Sequence, residues 1–155
     1  MSSYILMSIR SKYARKILDG SKTWEYRKNA PRIPGPLAPS TVFIYSSGED
    51  KAIVGEFTCG NVLRAPLPDL VAKTKLSGDK DAVAWMRKYY RGIKSCSALE
   101  VSDAQKYDRP VPLEELRRYI PGFRPPQSFV YVSAESMLAK LLAKTRNRDD
   151  RPQSR

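Results

Sequence analysis

Apolar and polar positions along the chain alternate in two rhythms, and each rhythm predicts its own element. "SYILMSIR" is a near-continuous apolar run and predicts a first strand over Tyr4 to Arg10. Tyr13, Ala14, Ile17 and Leu18 then recur at helical spacing, so a short helix should run from a Ser11 cap to Asp19, with Gly20 as its stop. Lys12, Arg15 and Lys16 fill the rest of that helix. A second strand is expected from Lys22 to Asn29, where Thr23, Trp24 and Tyr26 favour a pleated surface. "APRIPGPLAPS" breaks regularity with four prolines and reads as a surface loop, because strand signals resume at once.

"TVFIYSS" predicts a third strand, closed by a turn at Gly48, Glu49 and Asp50. "AIVGEFTCGNVLR" predicts one long fourth strand, bent at Gly55 and Gly60. A short helix is expected at Leu67 to Ala72, and a better one from Asp79 to Arg91, where Val83, Met86 and Tyr90 share a side. Ser97 to Val101 begins a fifth strand. "YDRPVPLEELRRYI" leads into a helix whose Glu114 and Glu115 come early and whose Arg117 and Arg118 come late, matching the helix dipole. A last strand covers Phe129 to Val132, and Ser133 should cap a final helix ending near Lys144.

About six strands with interior glycines, and helices placed between them without strict alternation, predict an α+β fold built on a small β-barrel. Residues 1–145 should form one domain, and residues 146–155, which have no apolar anchor, a disordered basic tail.

Composition narrows the chemistry. The chain has 155 residues, with 28 Lys and Arg against 16 Asp and Glu, a formal charge of +12. A surplus of that size attracts polyanions, so RNA, DNA and anionic surfaces are all permitted partners. No histidine is present, which removes Ser-His-Asp and Cys-His catalysis and most metal sites. Acid–base work would fall to Lys, Glu, Asp, Tyr or Cys. Cys59 and Cys96 stand far apart with no CxxC pair, so neither a zinc site nor a cofactor is expected, and two reduced thiols are. No segment approaches the ~20 apolar residues of a membrane span and no secretory signal is visible, so the expected location is cytoplasmic.

The candidate chemistry concentrates in "GSKTWEYRK", Gly20 to Lys28. Side chains alternate along a strand, which puts Trp24 and Tyr26 on one face as core candidates, and Glu25 beside Arg27 on the other. Lys22 lies at the strand's start. The plain alternative is a surface ion pair worth about 0 to 1 kcal/mol. Arg10 and Ser8, at the end of the first strand, would join this region if the two strands pair, with Lys12 adding to a positive rim. Tyr45, Tyr26 and Trp24 are the aromatics that could stack a base. Ser46 and Ser47 could line a rim or serve the turn before Gly48, the reading favoured here. Gln127 and Ser128 follow the rigid "RPP" and could present polar groups at a pocket mouth. Glu56 is left undecided between barrel interior and solvent. A second basic feature, "MRKYYRGIK" from Met86 to Lys94, is expected away from this region, either gripping nucleic acid or serving as a solvated helix face.

Gly20, Lys22, Glu25 and Arg27 fit the Gly-x-Lys-x-x-Glu-x-Arg signature of ASCH domains, a branch of the PUA-like superfamily. "ILMSIRSKYARKILDG", "VGEFTCGNVL", "YDRPVPLEEL" and "PPQSFVYV" agree in order, so the chain resembles that family from about Tyr4 to Val132, and most resembles small stand-alone members labelled as predicted transcriptional regulators. The resemblance implies a PUA-like barrel with a cleft that binds RNA or a nucleotide-like ligand. Lys22 and Arg27 would hold phosphate there, with Glu25 accepting from a base amine or fixing Arg27. Some relatives hydrolyse N-acylated cytidine with a Lys, a Thr and a Glu, and others are described as ribonucleases. Lys22 matches the catalytic Lys, but Glu25 stands where those amidohydrolases have Thr. If the chain is an enzyme, Lys22 and Glu25 are its catalytic candidates. The leading expectation is a binding module for RNA or a nucleotide, ahead of a Lys22-dependent amidohydrolase or ribonuclease, and of a DNA-binding regulator acting through Arg87 and Arg91.

Overall fold

A computed structural model describes residues 3–149 of the chain. The first strand, β1 (Ser3–Arg10), runs through the middle of the molecule. It pairs in parallel with β3 (Ser40–Ser47) and antiparallel with β8 (Phe129–Val132). β4 (Ala52–Cys59) continues from β3, and β7 (Ser102–Pro112) follows β4, giving a five-stranded mixed sheet in the order β7-β4-β3-β1-β8. A second, antiparallel sheet contains β2 (Trp24–Arg27), β6 (Cys96–Glu100) and β5 (Val62–Ala65), in that order.

Alternation in β1 explains its apolar run. Ile5, Met7 and Ile9 point to one side of the large sheet, where they pack with Val42, Ile44 and Phe57 and with Ala14 and Ile17 of α1 (Ser11–Leu18). Leu6 points to the other side, where Phe43, Tyr45 and Tyr107 meet α4 (Leu113–Tyr119) and α5 (Met137–Asp149) through Leu116, Leu138 and Leu142. Burial on both faces from Ile5 to Met7 makes that part of the strand an unbroken apolar run. A third cluster lies under the small sheet, where Ala98 and Cys96 of β6 meet Leu70 of α2 (Leu67–Lys73) and Met86 of α3 (Lys80–Tyr89).

Several expectations are corrected. The fold is α+β, but the described residues form eight strands in two sheets and no closed barrel. β7 and β8 lie at opposite edges of the large sheet and do not meet. The expected long fourth strand stops at Cys59 and restarts at Val62, and the restart joins the other sheet, which divides the strands that a barrel would need in one circuit. Gly55 does mark an irregularity. The register with β7 shifts there, and a Cβ on Gly55 would sit 2.3 Å from the Gln105 carbonyl oxygen, so β7 crosses too close for any side chain.

The final helix starts later and ends later than its sequence suggests. Ser136, not Ser133, caps it by accepting from the Ala139 N–H. It continues to Asp149, and Arg146, placed by the sequence in a tail, pairs with Glu56 at 2.8 Å. The remainder of that expected tail, 150–155, lies outside the described residues. Glu56 is thus resolved as inward-facing. It also accepts from the Tyr107 hydroxyl at 2.8 Å.

Candidate functional site

The segment from Gly20 to Arg27 reaches its position by a tight turn off α1. Gly20 takes φ +85°, which ends the helix without the penalty a Cβ would bring, and the Lys22 N–H donates to the Lys16 carbonyl at 3.0 Å. The Val101 N–H donates to the Thr23 carbonyl at 2.9 Å, and β2 then pairs with β6. The two faces of β2 divide as alternation predicts, but burial does not follow polarity. Trp24 and Tyr26 pack on the third cluster and stay half-buried, while Glu25 is only 4% exposed.

Glu25 tolerates that burial because it is paired on both oxygens. The Lys22 ammonium donates to Oε1, and Arg27 Nη1 lies 3.7 Å from Oε2. The Arg27 fork is spent mostly on the protein. Nη1 donates to the Ser8 carbonyl at 3.1 Å, and Nη2 donates to the Ser128 carbonyl at 3.2 Å and its hydroxyl at 2.9 Å. The Ser8 hydroxyl donates to the Pro126 carbonyl at 2.6 Å and the Ser8 N–H to the Ser128 carbonyl at 3.0 Å. Arg27 therefore ties β2 to the end of β1 and to the segment before β8, although β1 and β2 belong to different sheets. The Arg27 guanidinium, expected to hold phosphate, thus already has three protein acceptors while it lines the same opening.

Above this floor opens a cleft of about 950 Å3. Arg10, Lys12, Lys22, Glu25, Arg27, Gln127 and Ser128, all expected from the sequence, line it together, and Ser47 reaches its rim. Tyr45, offered as a stacking aromatic, and Ser46, offered as a rim residue, do not line it. Tyr45 shares the Phe43 face of β3 and is buried against the far cluster. Ser46 is fully buried and donates to Asp50 Oδ2 at 2.7 Å, the turn role that its position before Gly48 suggested. Thr23 lines a separate cavity of about 310 Å3, to which Lys22 also contributes.

Sequence reasoning missed the opposite wall. Tyr13 of α1 and Trp85 and Tyr89 of α3 line the cleft, so α3 is not remote from the signature strand as expected but faces it. Trp85 and Tyr89 stack at 4.8 Å with an interplanar angle of 11°, and Tyr13 stands 6.2 Å from Trp85. The signal was present: Trp85 and Tyr89 are four apart on a helix whose buried side is already filled by Met86 and Tyr90. Lys28 lies over the Tyr89 ring at 5.0 Å and Lys22 over Tyr13 at 5.3 Å. Burial pushes the Tyr26 and Tyr89 hydroxyls up, so both phenols remain protonated at neutral pH. Six basic side chains (Arg10, Lys12, Lys16, Lys22, Arg27 and Lys28) and two acidic ones (Glu25 and Asp81) line the cleft, so its wall carries a surplus of positive charge. Among the described residues no group of three or more His, Cys, Asp or Glu could hold a metal ion, and no helix is long and apolar enough to cross a membrane.

Comparison with known proteins agrees with the signature. The model of the ASCH domain matches residues 7–111. A curated protein of Zymomonas mobilis subsp. mobilis, named ASCH domain-containing ribonuclease, is 25% identical over 130 residues, which span 84% of each chain. The crystal structure of ASCH from Zymomonas mobilis has the same fold, with a TM-score of 0.76 at 22% identity over 90% of this chain and 94% of that one. The N-terminal domain of Staphylothermus marinus McrB is a more distant likeness, with a TM-score of 0.56 at 13% identity over 94% of this chain and 93% of that one.

Proposed function

The chain belongs to the ASCH domain family, and on that premise we propose that its cleft binds RNA, or a nucleotide derived from it. The observation that carries this reading is the union, in one cleft, of a cationic rim with an aromatic wall. Arg10, Lys12 and Lys16 are exposed and offer charge to phosphates, while Lys22 is braced on Glu25 at the floor. A volume near 950 Å3 exceeds what one nucleotide needs and suits a few linked ones. The relative named as a ribonuclease supports RNA over DNA as the polyanion.

The test is fluorescence anisotropy with a labelled oligoribonucleotide across a salt series. Log affinity should fall linearly with log salt, and replacing Arg10 and Lys12 together by Ala should lower the slope by about 2. Absence of binding at about 50 mM salt, where such contacts are strong, would overturn the reading.

A second reading, RNA cleavage, is favoured by the Lys22–Glu25 pair at the cleft floor and by the name of the relative. Attack of a ribose 2′-oxygen on the adjacent phosphorus, with its proton passing to water, would break the P–O5′ bond to form a 2′,3′-cyclic phosphate, and the departing 5′-oxygen would take up a proton from water to become a 5′-hydroxyl. Lys22 would offset the charge gathering on the phosphate oxygens. Cyclic-ended fragments that vanish with Lys22→Ala would establish cleavage; intact RNA after prolonged exposure would leave binding alone. Glu25 replaces the hydroxyl of the amidohydrolase pattern and Thr23 lines the other cavity, so neither supports hydrolysis of acylated cytidine.

A further inference from the structure

The two sheets have four edge strands, and one of them differs in sequence from the rest. β7 carries Asp108, Arg109 and Pro110, β2 carries Glu25 and Arg27, and β5 carries Arg64. Charge and proline on an edge discourage another strand from pairing there. β8 reads Phe129-Val130-Tyr131-Val132 and has neither. It is also open to water. Val130 is 45% and Tyr131 58% exposed, one on each face of the strand.

The hydrogen bonds of β8 show which of its backbone groups are spare. The Ser8 N–H donates to the Ser128 carbonyl, and β8 continues that register along β1, so Val130 and Val132 turn their backbone groups inward to Leu6 and Tyr4. The N–H and C=O of Phe129 and Tyr131 point out of the sheet, and no described residue bonds to them. This set of groups matches its own reverse. Phe129 of one chain set against Tyr131 of another exchanges two hydrogen bonds, and the two-fold repeat of that pair exchanges two more. Val130 then meets its own copy in the closely spaced position between them. The exposed tyrosine is already held in place. Its hydroxyl accepts from the Arg32 N–H at 2.9 Å, and its ring packs edge-on to Phe129 at 5.8 Å. Reversal also turns the approach of one copy, with exposed Arg124, toward the exit of the other, with exposed Glu135.

We propose that β8 pairs antiparallel with β8 of a second copy of this chain, about a two-fold axis at Val130, so that the two large sheets become one. A peptide of another protein would meet the same backbone groups. The match of this strand to its own reverse, in hydrogen bonds, apolar contact and charge order, selects the second copy. Four backbone hydrogen bonds and a few side chains bury less than a standard interface, and each chain carries a formal charge of +12. The dimer is therefore reversible, and it strengthens as salt screens that repulsion. RNA binding has the opposite salt dependence. No residue of β8 lines the cleft, so the joint stands apart from the RNA reading.

Sedimentation equilibrium of the full chain from about 1 to 500 μM, where weak interfaces associate, tests the pairing. The average mass should rise from one chain toward two, and should rise further with added salt. Val130→Lys sets two ammonium groups against each other at the axis and should weaken association about tenfold or more. The melting temperature of the dilute variant should match the parent, because Val130 is half-exposed. Gln105→Lys adds the same charge to the opposite edge of the sheet and should change association little. In the parent chain, the amides of Phe129 and Tyr131 should exchange with solvent slowly in concentrated solution and quickly in dilute solution. A single chain at every concentration overturns the proposal, and so does a dimer that Val130→Lys leaves intact. If Val130→Lys does not fold, the parent decides: exchange at these two amides that ignores concentration refutes the joint.

Discussion

Two glutamates in this molecule are equally buried, each only 4% exposed, and they serve different ends. Glu25 takes its partners, Lys22 and Arg27, from its own strand and the turn before it. Glu56 takes a tyrosine 51 residues away and an arginine from the last helix. The first pair-set forms a floor with open space above it; the second lies under α5 and holds that helix to the sheet. Burial of a carboxylate therefore does not by itself mark a site. What distinguishes them is whether the paired cation faces a cavity or completes a core.

Mutations separate the two. The largest effects should come from removing each cation, and Arg146→Ala deprives buried Glu56 of its own. Unfolding in urea should show a loss of about 2 kcal/mol, between the values for exposed and fully buried pairs, because Arg146 is partly exposed. RNA affinity should hold. If stability is unmoved, Glu56 is not the anchor that its geometry indicates. Lys22→Ala should also deprive a buried carboxylate of its cation, at a cost of about 2 kcal/mol or more in stability, but unlike Arg146→Ala it should lower RNA affinity about tenfold and the salt slope by about 1.

Arg27→Lys sharpens the contrast within the floor. It keeps the charge and loses the fork that reaches Ser8 and Ser128 together. The expected cost is about 1 kcal/mol in stability with no change in salt slope.

The smallest effect concerns Asp50. The Ser46 hydroxyl first, and Arg15 and Ser11 after it, hold its carboxyl below the ordinary value of 3.8. A depressed folded value means that the stabilisation is present above pH 3.8 and fades as pH falls through the folded value. In acid titrations followed by circular dichroism, Asp50→Asn should flatten that part of the stability profile and leave the neutral-pH cleft unaffected. An unchanged acid limb would remove Asp50 from the account.

The sequence disclosed what is local. β8 falls where its apolar run predicts and β1 differs only at its first residues. Lys22, Glu25 and Arg27 are gathered by spacing alone. β7 was missed because its eleven residues expose most side chains and carry Pro110 and Pro112; only Tyr107 and Val111 are buried, too far apart to display a two-residue rhythm. An edge strand pairs through its backbone, which composition does not reveal. The aromatic wall was hidden differently. Tyr13 and Trp85 meet only because α1 and α3 flank one opening, and no periodicity within either helix announces the other.

Arg27 has one more consequence. Because it fastens β2 to β1 and to the segment before β8, the floor of the cleft is also a seam between the two sheets. A molecule that touches both margins, Lys22 on one and Gln127 on the other, meets its site only in the folded chain, where the two sheets are joined. Occupancy then registers as resistance to heat. At free ligand a hundred times its dissociation constant the gain is about 2.7 kcal/mol. A melting curve can thus sort oligonucleotides and nucleotides by affinity before any product is known, with the joint itself as the reporter.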